Sequence, residues 1–143
     1  MLNQKLNVLL SDLVVFYHKL QSYHWFVKGH AFFNAHAKLE EYYDGIRDQI
    51  DEIAELALMS GMKPVSRMTE FAELSQIREA SGDYVSVSEV FGDVRGDFSY
   101  LLDSVSAIKV QADEEGKYLI SAKMDEIAAY CSKAIWMLSQ SSM

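Results

Sequence analysis

The 143 residues are half apolar and carry a formal charge of −8, with a sequence pI near 4.9. An acid excess of this size repels phosphate backbones, so direct nucleic-acid binding has no electrostatic support, and no stretch reaches the roughly 18 uninterrupted apolar residues of a membrane span. Seven glycines and one proline leave little turn-forming material, which favours helices in a single domain over 1–143.

The opening MLNQKLNVLLSDLVVFYHKL lacks a basic leader and a small-residue cleavage site, and its polar residues recur at helical intervals. It reads as a first helix over Leu2–Val27 rather than a signal peptide, with the cytoplasm as the expected location. Lys28-Gly29 breaks the pattern. A second long helix starts between Phe32 and Asn34 and runs to Met59, where Ser60-Gly61 and then Pro64 stop it. Met68 to Arg78 is a short amphipathic piece and Ser81-Gly82-Asp83 a loop. Ser86-Val87-Ser88-Glu89 resembles a capping box, opening a third long helix to about Ala112. Asp113 to Gly116 reads as a turn before a fourth helix, Lys117 to Leu138. The fold class is therefore all-α: a four-helix bundle with a short extra helix in the crossover between helices 2 and 3, as in ferritin-like folds. The one cysteine, Cys131, reads as a small buried hydrophobe and excludes disulfide and thiolate-metal frameworks within one chain.

The second helix poses a geometry problem. At about 100° per residue, Leu39, Tyr43, Ile46, Ile50, Ile53 and Ala57 share one arc, which faces the core. His36, Glu40, Asp44, Arg47, Asp51 and Glu55 share another, roughly 120° away. A stripe like this is ordinarily a solvated face with i,i+4 pairs. Here four carboxylates are offset by Arg47 alone, so a further positive charge is called for. His, Asp and Glu together suit iron, manganese or zinc. Yet His36 and Asp51 lie roughly 22 Å apart along the helix at 1.5 Å of rise per residue, and Glu55 farther still. They cannot share an ion within one chain. A second copy packed antiparallel, on a two-fold axis near Asp44 and Gly45, brings His36 of one chain opposite Asp51 and Glu55 of the other, and repeats the site twice per dimer. Gly45 is then expected to mark the close approach of two backbones.

His24-Trp25-x-Val27-x-Gly29-x-x-Phe32-x-x-x-His36, followed by Asp51-Glu52-Ile53-Ala54-Glu55, resembles the signature of the Dps family of mini-ferritins. The likeness extends through the short connecting helix to Ile135-Trp136-Met137-Leu138. The resemblance implies a dodecamer, a hollow twelve-subunit shell, with a two-iron ferroxidase site at each two-fold interface. His24 and His36 come from one subunit, Asp51 and Glu55 from its mate, and Glu40 stands where an aspartate often lies near the metals. It further implies that Fe(II) is oxidised, preferably by hydrogen peroxide and otherwise by O2, and that Fe(III) mineral is stored inside, protecting against oxidative damage. His18 and His30 match no ligand position and read as surface histidines. Trp25, Tyr42 and Tyr43 read mainly as packing residues, Trp25 being best placed to take stray oxidant.

The sequence departs from the family pattern in three places. Lys117, Ile120 and Ala122 replace the acidic and threonine positions usual at the start of the fourth helix, and Asp113, Glu114 and Glu115 are the alternative lining for an entry pore, or simply a solvated turn. Leu56 follows Glu55 where an arginine is common. Met1 to Leu10 holds Lys5 alone in place of a lysine-rich tail, so DNA binding is not expected. A shell with an idle metal site, acting as a scaffold, is the competing reading, and a DNA-compacting protein is the third.

Overall fold

A computed structural model describes residues 1–141. Helix α1 (Leu2–Phe26) leads through strand β1 (Val27–Lys28) into α2 (Phe32–Met59). A long crossover carrying α3 (Met68–Leu74) returns the chain to β2 (Val85–Ser86), and α4 (Val87–Glu114) and α5 (Tyr118–Ser141) complete the bundle. The expected four-helix bundle with a short crossover helix is what is found. α1 packs on α2, α4 on α5, and α1 joins the two pairs through α4 while α3 lies against α1. Phe16 and Phe98 meet edge to face at the centre, 5.0 Å apart, within a core of leucine, isoleucine and valine. Cys131 is fully buried among them, and that burial pushes its thiol up to about 12.

Two local features differ from expectation for physical reasons. α3 ends at Leu74, four residues before Arg78, because buried Asp12 captures the next residues: its carboxylate accepts from Ser75 Oγ at 2.9 Å and from the Gln76 amide at 2.7 Å. Those bonds pull the chain out of helical register. β1 pairs in parallel with β2, Val27 against Val85 and Lys28 against Ser86, tying the first turn to the start of α4. Ser86 caps α4 through half of the expected box: its Oγ accepts from the Glu89 amide at 3.3 Å, while the Glu89 carboxylate meets that same hydroxyl at 3.3 Å rather than the Ser86 amide.

The buried arc of α2 contains Leu39, Tyr42, Ile46, Ile53, Leu56 and Ala57, so Tyr42 and Leu56 occupy the core where Tyr43 and Ile50 were expected, and those two are half-buried. Leu56 thus contributes packing at the position where the resemblance anticipated an arginine. Ile120 is likewise buried while Lys117 and Ala122 are exposed.

α1 and α4 also share a charge cluster built around buried Lys19. Lys19, its side chain 1% exposed, lies 2.7 Å from Asp97 and 3.0 Å from Asp93, and Tyr23 donates to Asp93 at 2.5 Å. Burial pushes the Asp97 carboxyl up to about 6, against the pull of Lys19. A carboxyl whose folded pKa is raised favours the folded state while protonated and withdraws that support as pH climbs through about 6. Asp97→Asn is therefore expected to gain thermal stability relative to wild type as pH rises from about 5 to 7.5. Melting curves across that range check it; a variant that loses stability relative to wild type as pH rises contradicts it.

Candidate metal centre

The junction between α1 and α2 folds back on itself so that two histidines twelve residues apart meet. His24 Nδ1 donates to the backbone carbonyl of His36 at 2.6 Å, and His36 Nδ1 donates to the carbonyl of His24 at 2.7 Å. The rings stack with centroids 3.7 Å apart and planes 12° from parallel. A carbonyl can only accept, so both Nδ1 atoms carry protons, and in the neutral rings both Nε2 atoms keep a free lone pair. A backbone carbonyl on Nδ1 is the usual partner that sets a ligating histidine's tautomer. Gly29, with φ at 128°, makes the turn that allows this closure, and His24 is only 7% exposed.

Glu40, one turn after His36, places Oε1 3.8 Å from His24 Nε2. The single chain thus brings His24, His36 and Glu40 together. It does not bring Asp51 or Glu55, which are exposed farther along α2. Among the described residues no group of three or more His, Cys, Asp or Glu side chains closes on an ion.

The acids of α2 divide into two sets. Glu41 pairs with Lys38 at 2.6 Å, Asp44 and Asp48 with Arg47 at 3.3 and 3.6 Å, and Glu52 with Lys123 at 2.6 Å. Glu40, Asp51 and Glu55 have no lysine or arginine partner among the described residues. Sequence alone counted Arg47 as the sole offset; Lys38 and Lys123 also serve, but for Glu41 and Glu52. The uncompensated carboxylates are the three candidate ligands.

Within one chain, Trp25 and Gly45 stand differently from expectation. Trp25 is 54% exposed and touches His18 edge to face at 5.9 Å, so within the chain it is not a core residue. Gly45 is explained inside the chain: a Cβ there would strike the Tyr130 phenol of α5. His18 and His30 are exposed, as expected. Asp113, Glu114 and Glu115 are exposed, with Asp113 3.8 Å from Lys109.

The ferritin-like domain family matches residues 3–141. The chain is 30% identical over 130 residues to the "DNA protection during starvation protein" of Helicobacter pylori, covering 91% of this chain and 90% of that one. The chain belongs to the Dps family of mini-ferritins. The crystal structure of a Dps protein from Bacillus brevis superposes with a TM-score of 0.94 at 33% identity, covering 97% of this chain and 93% of that one. A Dps protein from Vibrio cholerae, described as a member of a broad superfamily of ferritin-like diiron-carboxylate proteins, gives 0.93 at 33% identity over 97% and 87%.

In this Dps chain the carbonyl bonds of the two histidines tie the ends of α1 and α2 together, and this contribution to folding is separable from the free Nε2 atoms. Asparagine places its amide nitrogen where histidine places Nδ1 and can keep the bond to the carbonyl, but it offers no Nε2. His24→Asn is expected to retain about 1 kcal/mol more stability than His24→Ala, the worth of one such hydrogen bond, while both lose metal affinity. Thermal melts of the metal-free protein check this; equal melting temperatures for the two variants contradict it.

Proposed function

We propose that this protein is an iron-oxidising, iron-storing mini-ferritin whose oxidation site is complete only where two copies of the chain meet. His24, His36 and Glu40 supply one half of each site and Asp51 and Glu55 of the second chain supply the other, at both ends of a two-fold contact along α2. The reading is carried by one observation: two imidazoles hold Nε2 free, that of His24 beside Glu40, while Asp51 lies roughly 22 Å and Glu55 roughly 28 Å from His36 along the same helix. The diiron-carboxylate description of the Vibrio cholerae relative supports iron as the substrate.

Hard carboxylate oxygens favour Fe(III) over Fe(II), which promotes electron loss. Two Fe(II) ions together give up two electrons, enough to take one hydrogen peroxide with two protons to two waters, and no hydroxyl radical is released. Dioxygen is the slower alternative oxidant. Twelve chains form the shell, Fe(III) mineral collects inside it, and the cytoplasm is where it works.

Adding Fe(II) and then peroxide to the purified protein, while following Fe(III) absorbance and recording native mass, tests this. Oxidation well above the buffer rate in a twelve-chain species is expected; a rate equal to buffer favours the scaffold reading. Protection here runs through removal of iron and peroxide rather than through contact with DNA, since the charge is −8. A low-salt gel shift is expected to show free DNA at all protein concentrations, and retardation would reverse that conclusion.

A further inference from the structure

The reciprocal carbonyl bonds select the Nδ1–H tautomers of His24 and His36 only while each ring keeps Nδ1 facing its carbonyl. The last torsion of a histidine side chain is broad, so a ring free to swing loses its bond and, with it, the tautomer preference. Other rings restrain them. Phe32 lies four residues before His36 on one face of α2 and stacks on it, centroids 5.0 Å apart and planes 24° from parallel. Tyr43 stands nearly perpendicular to His24 at 5.4 Å and is itself backed by Tyr17 at 5.7 Å. Four rings, Phe32, His36, His24 and Tyr43, therefore touch in sequence, and the two imidazoles are the inner pair.

We propose that Phe32 and Tyr43 are positioning residues of the iron site, holding the His36 and His24 imidazoles in the Nδ1–H form with Nε2 free before any metal binds. The role they serve rests on the iron-oxidising reading above. Neither side chain needs to touch the metal. Each acts on the ring it contacts, and losing one such aromatic contact is expected to weaken metal binding roughly threefold to tenfold.

The test uses the full-length protein in its assembled, metal-free form, labelled with 15N only in histidine, and reads the ring nitrogens by solid-state NMR at about pH 8, above the ordinary imidazole pKa. In wild type both His24 and His36 are expected as single Nδ1–H tautomers. Phe32→Leu should convert His36 to a tautomer mixture and weaken Co(II) binding about threefold to tenfold, and Phe32→Tyr should restore both. Tyr43→Leu should do the same to His24, with Tyr43→Phe restoring it. With Fe(II), the leucine variants should need more metal for half-maximal rate while the maximal rate stays within about twofold, the pattern of lost binding rather than lost chemistry. Native mass and melting curves establish that each variant is folded. Leucine variants with wild-type tautomers and Co(II) affinity overturn the proposal, as do mixed tautomers in wild type or aromatic variants that fail to rescue. Tautomers and Co(II) binding are read without oxidation, so a wild type inert towards Fe(II) sinks the functional reading and leaves this measurement to be judged by itself.

Discussion

Chains carrying His36→Ala and chains carrying Asp51→Ala, each expected to oxidise Fe(II) at least about tenfold more slowly than wild type when assembled alone, should recover activity when unfolded and refolded together. The reason is the symmetry of the site. In a mixed pair, one interface combines both lesions, and the other combines the intact His36 of one chain with the intact Asp51 of its mate. Random pairing makes about half of the pairs mixed, and one site in two within them is whole, so about a quarter of the wild-type rate should return. A site built from residues of one chain predicts no recovery, since every chain in the mixture carries a lesion. Initial rates of Fe(III) formation, measured on the separate and the co-refolded preparations, decide between the two. Recovery is the expected result, and a mixture as slow as its components would break the two-chain assignment while leaving the fold untouched.

The helices and the polar stripe of α2 were legible because both follow from a period of 3.6 residues, which a sequence displays directly. His36, Glu40, Asp51 and Glu55 could be placed on one line, and helix rise alone forbade Asp51 and Glu55 from joining His36 within a chain. His24 was different. Its link to His36 runs through backbone carbonyls across a turn, and no periodicity relates residues on two helices, so it entered through family resemblance alone. The same limit hid Asp12, whose bonds to Ser75 and Gln76 shorten α3, and the buried ion pairs of Lys19. In each case a tertiary partner overrides a local pattern. The pairing of Glu52 with Lys123 was also invisible, because Lys123 belongs to α5, whereas Lys38 and Glu41 stand three residues apart on α2 and were open to sequence reading.

Gly45→Ala is expected to destabilise the protein although alanine is the better helix former by about 1 kcal/mol. A Cβ built on Gly45 falls on the Tyr130 side chain, 2.8 Å from Cζ and 3.0 Å from Cε2 as well as against the phenol oxygen. The obstacle is a ring, not the end of a flexible chain. Tyr130 is half-buried, tilted against Phe98 at 6.1 Å, with its hydroxyl 3.5 Å from the Tyr42 carbonyl, so moving it disturbs the core. Overpacking of this kind costs about 1–3 kcal/mol, which outweighs the helical gain and should lower the melting temperature by several degrees. Tyr130→Phe removes the oxygen but leaves Cζ in the way, and should rescue only in part. In a Tyr130→Ala background the alanine at 45 no longer meets the ring, and the substitution should become neutral or stabilising, giving a coupling of about 1–3 kcal/mol in the double-mutant cycle. If Gly45 instead serves the approach of two α2 backbones across the two-fold axis, Gly45→Ala should reduce the native mass, and removing Tyr130 should not restore it.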